Sequence, residues 1–343
     1  MSTNVSDEEQ QQQMEKIFIC ADVWHGVFAF LCPFDVGLKM ALISDRLDVL
    51  VDVHFKSRKW SLGSMEIDRA IGGNGAGIRN KRSREPQLPI PQEPIPTKVI
   101  GFERIIIGYI DQSVIEFLQR FRCLFNSSGT NVYIARNLCD QSRRREIIHQ
   151  KIWPLVNDNI CGFRLYFSDL DHLRQFSPTI LRNCANLRSI DTVGFSPEFP
   201  ADDNADASSE QALTKWLFTS RGDGLPKMLY CWLSSAEKLK RSFVNALESA
   251  NFIIRLRSFS GIEPFELTNN LTGERLTLRR FNKDNWLLVR CPIGQEDKWA
   301  EWEDEANGWE CYYQWNLIIV CFNNSDTGDG MIGANEVPME PNE

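Results

Sequence analysis

Beginning at Val99, short apolar runs alternate with helix-like segments, and this alternation restricts the fold more than any other feature of the sequence. The runs are centred on Ile105, Ile134, Leu165, Ile190, Tyr230 and Ile254, so their spacings are 29, 31, 25, 40 and 24 residues. A short apolar run followed by a helical pattern is typical of a strand–helix unit. The 40-residue spacing contains an acidic loop, 200–210, which accounts for its greater length. Six such units predict a βα domain over residues 99–322.

Two architectures are compatible with these units. In a repeat architecture each unit buries its faces against its neighbours. A leucine-rich-repeat opening is traceable in "ICGFRL" (160–165), "LRSIDT" (187–192) and "LPKMLY" (225–230), although the usual Asn is missing. An ordinary α/β domain with an open parallel sheet fits the same alternation. We favour the repeat-like interpretation and keep the open sheet as the alternative.

After Phe265 the pattern becomes that of antiparallel strands. The runs "PFELTNNLTGERLTLRRF" and "NWLLVRCPI" contain strand residues separated by turn signals. A short acidic helix, "EDKWAEWEDEANG", is expected before a last strand, "WNLIIVCF". The segment 323–343 is rich in Gly, Asp and Pro, and we expect it to be disordered.

The amino-terminal part differs from the rest in composition. Residues 1–16 are polar and expected to be disordered. Residues 17–62 carry apolar residues at helical spacings, divided at Pro33, after which Asp35 is positioned to cap a second helix. A helical unit of this size has a small core and gains stability from a partner surface. Residues 71–98 hold four glycines and five prolines in 28 residues, which predicts a linker. The expected fold class is therefore α+β or α/β, with a helical unit, a Gly/Pro linker and a βα domain.

Charge and composition exclude several classes of protein. The net charge of −8 argues against a nucleic-acid-binding role, which requires a basic face. We find neither a signal-peptide pattern nor the roughly 18 consecutive apolar residues of a membrane span. A cytoplasmic or nuclear location is therefore expected. The ten cysteines form no CxxC pair, so we expect reduced, mostly buried thiols and neither a zinc site nor a disulfide framework.

The sequence contains no convincing catalytic or metal-binding pattern, so we expect no enzymatic activity and no cofactor. The four histidines, His25, His54, His149 and His172, do not have metal-ligand spacing. In "SDLDH", 168–172, Asp169 could belong to a cation-binding DxD pair, but a helix-capping role is favoured. The acidic residues Glu301, Glu303, Asp304 and Glu305 are expected on a solvated helix face.

Tryptophan is abundant, and three of its residues lie close together near the carboxyl end. Trp299 and Trp302 have the i, i+3 spacing of helix neighbours, and Trp309 follows. Core packing is the favoured interpretation. The alternative is an exposed aromatic anchor of the kind enriched at binding hot spots.

The amino-terminal helical unit resembles the F-box, which joins adaptor proteins to the Skp-type linker subunit of cullin–RING ubiquitin ligases. The residues that carry the resemblance are Ile19-Cys20, Asp22, Val23, Val27-Phe28, Phe30-Leu31, Pro33, Asp35-Val36, Ile43-Ser44-Asp45-Arg46-Leu47, Leu50-Val51 and the "HFKSRKW" run of 54–60. The chain departs from the family in two respects. Ile19-Cys20 replaces the usual Leu-Pro, and Leu47 replaces an aromatic residue.

The layout of residues 17–322 is also similar to the lineage-expanded nematode F-box proteins. The phrases that carry this similarity are "WPLVNDNICGF", "LRQFSPTILRNCANLR", "PFELTNNLTGERL" and "KWAEWE". The resemblance implies a non-catalytic substrate receptor with a leucine-rich-repeat-like domain. Its expected partners are a Skp-type linker and a protein substrate that the sequence does not identify. The expected linker-binding residues are Ile19, Val27, Phe28, Leu31, Pro33, Phe34, Asp35, Leu42 and Arg46. The alternative is a free-standing interaction or effector protein whose degenerate F-box packs onto its own βα domain.

Overall fold

The computed structural model describes residues 19–56, 60–81, 86–93, 99–135, 142–233, 235–256, 263–282 and 285–331. Thirteen of the described strands form one mixed sheet, and we number all strands in chain order. Across the sheet the strands are β12 (Phe265–Asn269), β13 (Glu274–Arg280), β14 (Trp286–Pro292), β11 (Phe252–Leu256), β10 (Lys227–Cys231), β9 (Ser189–Val193), β8 (Ile160–Tyr166), β7 (Thr130–Ile134), β15 (Leu317–Val320), β6 (Arg104–Ile107), β2 (Ser64–Arg69), β3 (Ala76–Asn80) and β4 (Leu88–Pro89). A separate parallel pair joins β1 (Trp60–Ser61) to β5 (Val99–Gly101).

The centre of the sheet is parallel and its two ends are antiparallel. Every neighbouring pair from β11 to β2 is parallel. At one end β14, β13 and β12 follow β11, and at the other end β3 and β4 follow β2, each strand antiparallel to its neighbour. All six predicted strand centres lie within strands, and the predicted antiparallel strands after Phe265 are confirmed.

Helices connect the parallel strands. The helices are α4 (Gln112–Ser128), α5 (Ser142–Ile147), α6 (Trp153–Val156), α7 (Phe167–Phe176), α8 (Ile180–Asn183), α9 (Ser209–Phe218), α10 (Glu237–Val244) and α11 (Glu296–Gly308), with a π-helical turn at Ile148–Ile152 and 3₁₀ turns at Asn157–Asn159, Cys311–Tyr313 and Asn324–Asp326. Local capping fixes where several of them begin. Asp111 accepts a hydrogen bond from the Val114 N–H at the start of α4, and Ser208 accepts one from the Gln211 N–H at the start of α9.

The helices between the parallel strands pack on one face of the sheet, which we call the first face. Alternate strand residues such as Ile105, Phe163 and Ile254 share a continuous buried core with apolar residues of α4, α6, α7, α9 and α10. The second face is covered differently. Trp299 and Ala306 of α11 lie over the β10, β11 and β14 residues of that face. The predicted acidic helix is thus confirmed as α11, and it covers part of the second face.

Three helical segments precede the sheet. They are α1 (Ala21–Phe30), α2 (Pro33–Asp35) with a π-helical turn (Val36–Met40) and a 3₁₀ turn (Ala41–Ile43), and α3 (Asp45–Lys56). Their inward side chains belong to the same buried core as the first face of the sheet. The approach is close, since a Cβ at Gly37 would lie 3.3 Å from the Phe55 ring and 3.5 Å from the Leu62 side chain. The helical unit therefore packs beside the amino end of β2.

The structure differs from the sequence expectations in the predicted linker and in the predicted tail. The predicted linker, 71–98, contains β3 and β4, which extend the sheet, while 82–85 and 94–98 lie outside the described residues. The predicted disordered tail, 323–343, begins with residues that pack on the fold, since Met331 is buried and Thr327 pairs with Ile110. The predicted disordered segment 1–16 lies outside the described residues. The last strand, β15, lies between β6 and β7, so both of its neighbours in the sheet are far from it in sequence.

A buried ion pair stabilises the antiparallel end of the sheet. Arg290 of β14 donates to the Glu274 carboxylate at 2.6 and 3.1 Å, and both residues are almost fully buried. The second carboxylate oxygen of Glu274 accepts a hydrogen bond from the Ala250 N–H at 3.0 Å. The guanidinium also lies over the rings of Phe218 and Phe243. Removing one partner would leave a buried charge without compensation.

We therefore predict that Glu274→Gln lowers the free energy of unfolding by about 3–5 kcal/mol, the usual cost of breaking a buried ion pair. Urea unfolding followed by circular dichroism measures this change. The matched control is Glu266→Gln, an exposed carboxylate on the neighbouring strand β12, which should change stability by no more than about 0.5 kcal/mol. Equal effects of the two substitutions would contradict the prediction.

Candidate functional site

The local sequence explains why the helical unit forms. Pro33 occupies the first turn of α2, where its missing N–H costs nothing. Because that helix begins at Pro33, Asp35 lies inside its first turn and is not the capping residue that the sequence predicted. The Asp35 carboxylate instead forms an ion pair with Lys39 at 2.6 Å. Ser44 precedes α3 and accepts a hydrogen bond from the Leu47 N–H at 3.3 Å.

Some predicted linker-binding residues are buried in the molecule's own core. Phe28 is 0% exposed and Phe34 is 1% exposed. The Phe28 ring lies 5.5 Å from the His54 ring of α3, which fixes α1 against that helix. Neither phenylalanine is accessible to another protein in this structure. Leu31, Pro33 and Asp35 are partly buried.

The other predicted residues are accessible to varying degrees. Val27, Leu42 and Arg46 are exposed, and Ile19 is partly buried. The Arg46 guanidinium donates a hydrogen bond to the Ile19 carbonyl, so the residues that precede α1 are fixed beside α3. The structure thus brings the nine residues into one helical unit but divides them between its core and its surface.

The outer side of the helical unit exposes large apolar side chains that the prediction mostly did not include. Phe30 is 92% exposed and Ile43 is 64% exposed. We define the outer apolar surface by the exposed residues Val23, Val27, Phe30, Leu42, Ile43, Val49 and Val53. Val23, Val27 and Phe30 follow an i, i+4, i+7 spacing on α1, and Val49 and Val53 are four residues apart on α3. Each helix therefore has an apolar outer side in addition to its buried side.

Acidic residues lie on the same two helices as much of this surface. Asp45, Asp48 and Asp52 lie on α3, and Asp22 lies in the first turn of α1. Partial burial and the negative charges of Asp52 and Asp45 raise the pKa of Asp48. A partner that covered the outer apolar surface would thus meet an acidic margin, which favours basic residues at the edge of that partner's binding site.

The tryptophan cluster belongs mainly to the core. Trp299 is buried, and its ring lies 5.2 Å from that of Trp302 in an edge-to-face arrangement. Core packing, the favoured interpretation, is thus confirmed for Trp299. The most exposed aromatic residues of this region are Tyr313 (80%) and Trp315 (61%), which belong to no binding pattern recognised in the sequence.

Hydrogen bonds fix the segment that presents these two aromatic residues. Asn316 has a φ of 51°, and its side-chain oxygen accepts a hydrogen bond from the Phe102 N–H at 3.0 Å. Asn131 donates to the Trp315 carbonyl at 2.9 Å, and Arg104 donates to the Tyr312 carbonyl at 2.9 Å. A left-handed asparagine held by such contacts is a rare conformation for a residue other than glycine. The segment therefore has a defined backbone while its aromatic rings face solvent.

The carboxylates considered as catalytic or metal-binding candidates have structural partners. Asp169 is the third residue of α7, and its carboxylate accepts a hydrogen bond from the N–H of the N-cap residue, Tyr166, at 3.1 Å. Asp169 therefore stabilises the start of α7 from inside its first turn and is not the N-cap residue that the sequence predicted. Asp171 accepts one from the Ser209 hydroxyl. Glu303 is buried and paired with Arg279, so its expected place on a solvated helix face is wrong. Burial raises the pKa of Glu303.

Lys227 is the most strongly perturbed lysine of the described chain, and it also has a structural role. Burial lowers the pKa of Lys227 to about 7. Its Nζ donates to the carbonyls of Trp216 and Thr219 at the carboxyl end of α9. The Trp216 carbonyl also accepts a hydrogen bond from the Thr219 N–H at 3.3 Å, so Lys227 adds a second donor to the capped end of α9.

Within the described ranges, no three His, Cys, Asp or Glu side chains converge to form a metal-binding group. Among the same residues, no helix is both long and apolar enough to cross a bilayer. Comparison with protein families, with curated proteins and with solved structures found no match to this chain.

The contrast between Phe28 and Phe30 yields a prediction about stability. Phe28→Ala should lower the free energy of unfolding by about 3–5 kcal/mol, because it leaves a cavity in the shared core. Phe30→Ala should change it by no more than about 0.5 kcal/mol, because the ring lies in solvent. Thermal and urea unfolding of the two variants beside the wild type measure both values. A large destabilisation by Phe30→Ala would show that the Phe30 ring is not on the outer surface.

Proposed function

We propose that the protein is a non-catalytic adaptor that joins a substrate protein to a cullin–RING ubiquitin ligase. The outer apolar surface of the helical unit binds a Skp-type linker, and the βα domain binds the protein to be ubiquitinated. The observation that carries the proposal is the outer apolar surface itself. A chain whose helices already share a core with the sheet has no folding reason to expose Phe30, Ile43 and Val49 together.

The energetics of burial support this role. Complete burial of a side chain such as Phe or Ile is worth about 1.5–3 kcal/mol before the costs of association. The seven exposed apolar side chains lie within 31 residues, from Val23 to Val53. The resemblance of residues 17–62 to the F-box supports a Skp-type linker as the occupant. Of the residues that the resemblance assigns to the linker, Val27, Leu42 and Arg46 are exposed.

The arrangement of the βα domain supports the leucine-rich-repeat-like interpretation of the substrate-binding part. Strands β7 to β11 are neighbours in chain order, and the helices between them pack on one face. Repeat proteins have this stacking of consecutive units, and they use the resulting extended surface to bind other proteins. A ligase adaptor of this kind acts in the cytoplasm or the nucleus, and we propose that location.

One observation favours a second candidate function. Phe28 and Phe34 face the molecule's own core, as expected if a degenerate F-box packs onto the βα domain of a free-standing interaction protein. Such a protein would bind partners through the βα domain and leave the helical unit without a partner. The two functions therefore differ at the outer apolar surface, where the adaptor binds a linker and the free-standing protein binds no partner.

The decisive experiment measures binding of a purified Skp-type linker by isothermal titration calorimetry. We predict that the full chain binds and that a double variant, Phe30→Ala with Ile43→Ala, loses at least about tenfold in affinity, the effect of removing buried hot-spot contacts. The matched control is Leu247→Ala with Leu271→Ala. Both of these leucines are highly exposed but lie on the βα domain.

The outcomes separate the two functions. Loss of binding in the first variant and unchanged binding in the control support the adaptor. Absence of binding by the wild type contradicts the adaptor and favours the free-standing protein. Equal binding by all three proteins assigns the linker to another surface. Circular dichroism of each variant establishes that the fold is retained.

A further inference from the structure

A cleft of about 400 Å³ lies at the carboxyl ends of β9 and β10, on the βα domain. Its lining residues are Gly194, Phe195, Ser196, Pro197, Glu198, Phe199, Glu210, Leu233, Ser235, Lys238 and Leu239. In α/β sheets, ligands bind outside the carboxyl ends of the parallel strands. The volume falls in the usual range for ligand pockets, roughly 300–1,000 Å³.

The chain geometry after β9 shapes one wall of the cleft. Gly194 follows β9 with a φ of 89°, a value that side-chain-bearing residues rarely adopt. The Thr192 hydroxyl donates to the Phe195 carbonyl at 2.9 Å, which fixes the turn. The Glu198 N–H donates to the Glu210 carbonyl at 3.3 Å and ties this loop to the start of α9. The wall is therefore formed by hydrogen-bonded backbone.

The floor of the cleft is apolar and its rim is charged. Phe195, Leu233 and Leu239 are buried beneath it. Two carboxylates, Glu198 and Glu210, line it together with a single cation, Lys238. An apolar floor with a few charged groups at the rim is the arrangement that binds a side chain carrying both apolar and charged atoms.

The two carboxylates are available to a ligand. Glu198 pairs with Lys238 at 3.6 Å, and both side chains are more than half exposed, so the pair is weak. The Glu210 carboxylate has no hydrogen bond or ion pair with any residue of the described chain. The loop that joins β9 to α9 also carries Asp202 and Asp206 outside the cleft, whereas its Asp203 is buried and paired with Arg182 at 3.0 Å. The cleft therefore presents a surplus of negative charge beside an apolar floor.

We infer that this cleft binds an extended peptide segment of a partner protein, with a lysine or arginine between the two carboxylates and an adjacent apolar residue on the floor. The long apolar stem of such a side chain fits against Phe195 and Leu239, while its cationic group reaches Glu210. This inference rests on the proposed function, because it names the kind of substrate segment that the βα domain takes.

The position of the cleft fits an adaptor. The helical unit packs beside the amino end of β2, whereas the cleft lies at the carboxyl ends of β9 and β10. Five strand-to-strand steps separate β2 from β9. At about 4.8 Å a step, the two sites are about 24 Å apart along the sheet and at opposite strand ends. A linker on the outer apolar surface and a peptide in the cleft can therefore bind at the same time.

The test uses a positional peptide array and the labelled full chain. In each octapeptide the fourth residue is fixed as one amino acid and the other positions are mixtures, so no particular sequence is assumed. We expect the wild type to bind the lysine and arginine peptides about tenfold more strongly than the glutamine and glutamate peptides, the effect of one well-formed charge-assisted contact. Glu210→Gln should abolish this preference.

Two further variants complete the test. Glu237→Gln, an exposed carboxylate of α10 that does not line the cleft, is the matched control and should keep the preference. Lys238→Ala removes the competing cation and should strengthen binding of the basic peptides. Absence of binding by the wild type, equal binding of all fixed residues, or a preference that survives Glu210→Gln would each overturn the inference. The array contains no linker protein, so its outcome is independent of the linker-binding experiment.

Discussion

The rest of the structure depends on the core that the helical unit shares with the sheet. The three amino-terminal helices are too short to bury a sizeable core among themselves. Their inward residues, including Phe28, Phe34 and Phe55, therefore pack with the apolar residues of the first face of the sheet. This shared packing fixes the orientation of α1 and α3, and with it the direction in which their outer side chains point. The outer apolar surface is a consequence of that orientation.

The two faces of the sheet are covered unequally, and this asymmetry separates the two candidate binding regions. The helices between the parallel strands occupy the first face, while α11 and the 309–316 segment cover part of the second face. The strand ends remain as the places where loops can form binding sites. The cleft with Glu198 and Glu210 lies at one such end, away from the helical unit. Rigid packing in the middle of the molecule thus keeps two candidate binding regions apart.

Much of the fold could be predicted from the sequence because local patterns determine it. Each predicted strand centre, from Ile105 to Ile254, lies within a strand, since apolar runs between helical segments depend on near neighbours only. The insertion of β15 between β6 and β7 could not be predicted, because strand order depends on contacts over some 200 residues. The burial of Glu303 could not be predicted either, because its ion-pair partner, Arg279, belongs to a strand that does not adjoin α11 in sequence.

The candidate site was predicted less completely for a related reason. A helical spacing identifies apolar positions but does not distinguish the side of a helix that faces the core from the side that faces a partner. Phe28 and Phe30 lie two residues apart on the apolar helix α1, yet Phe28 is buried and Phe30 is exposed. The sequence did contain a sign of the exposed side, since α1 is apolar around most of its circumference, which is typical of a helix with two packing surfaces.

The most direct test of the account is hydrogen exchange of the full chain, alone and with a Skp-type linker. The account predicts slow exchange in α1 and α3 of the free protein, because they share the core, and still slower exchange there in the complex. Rapid exchange of these helices in the free protein, or unchanged exchange with the linker in excess, would contradict it.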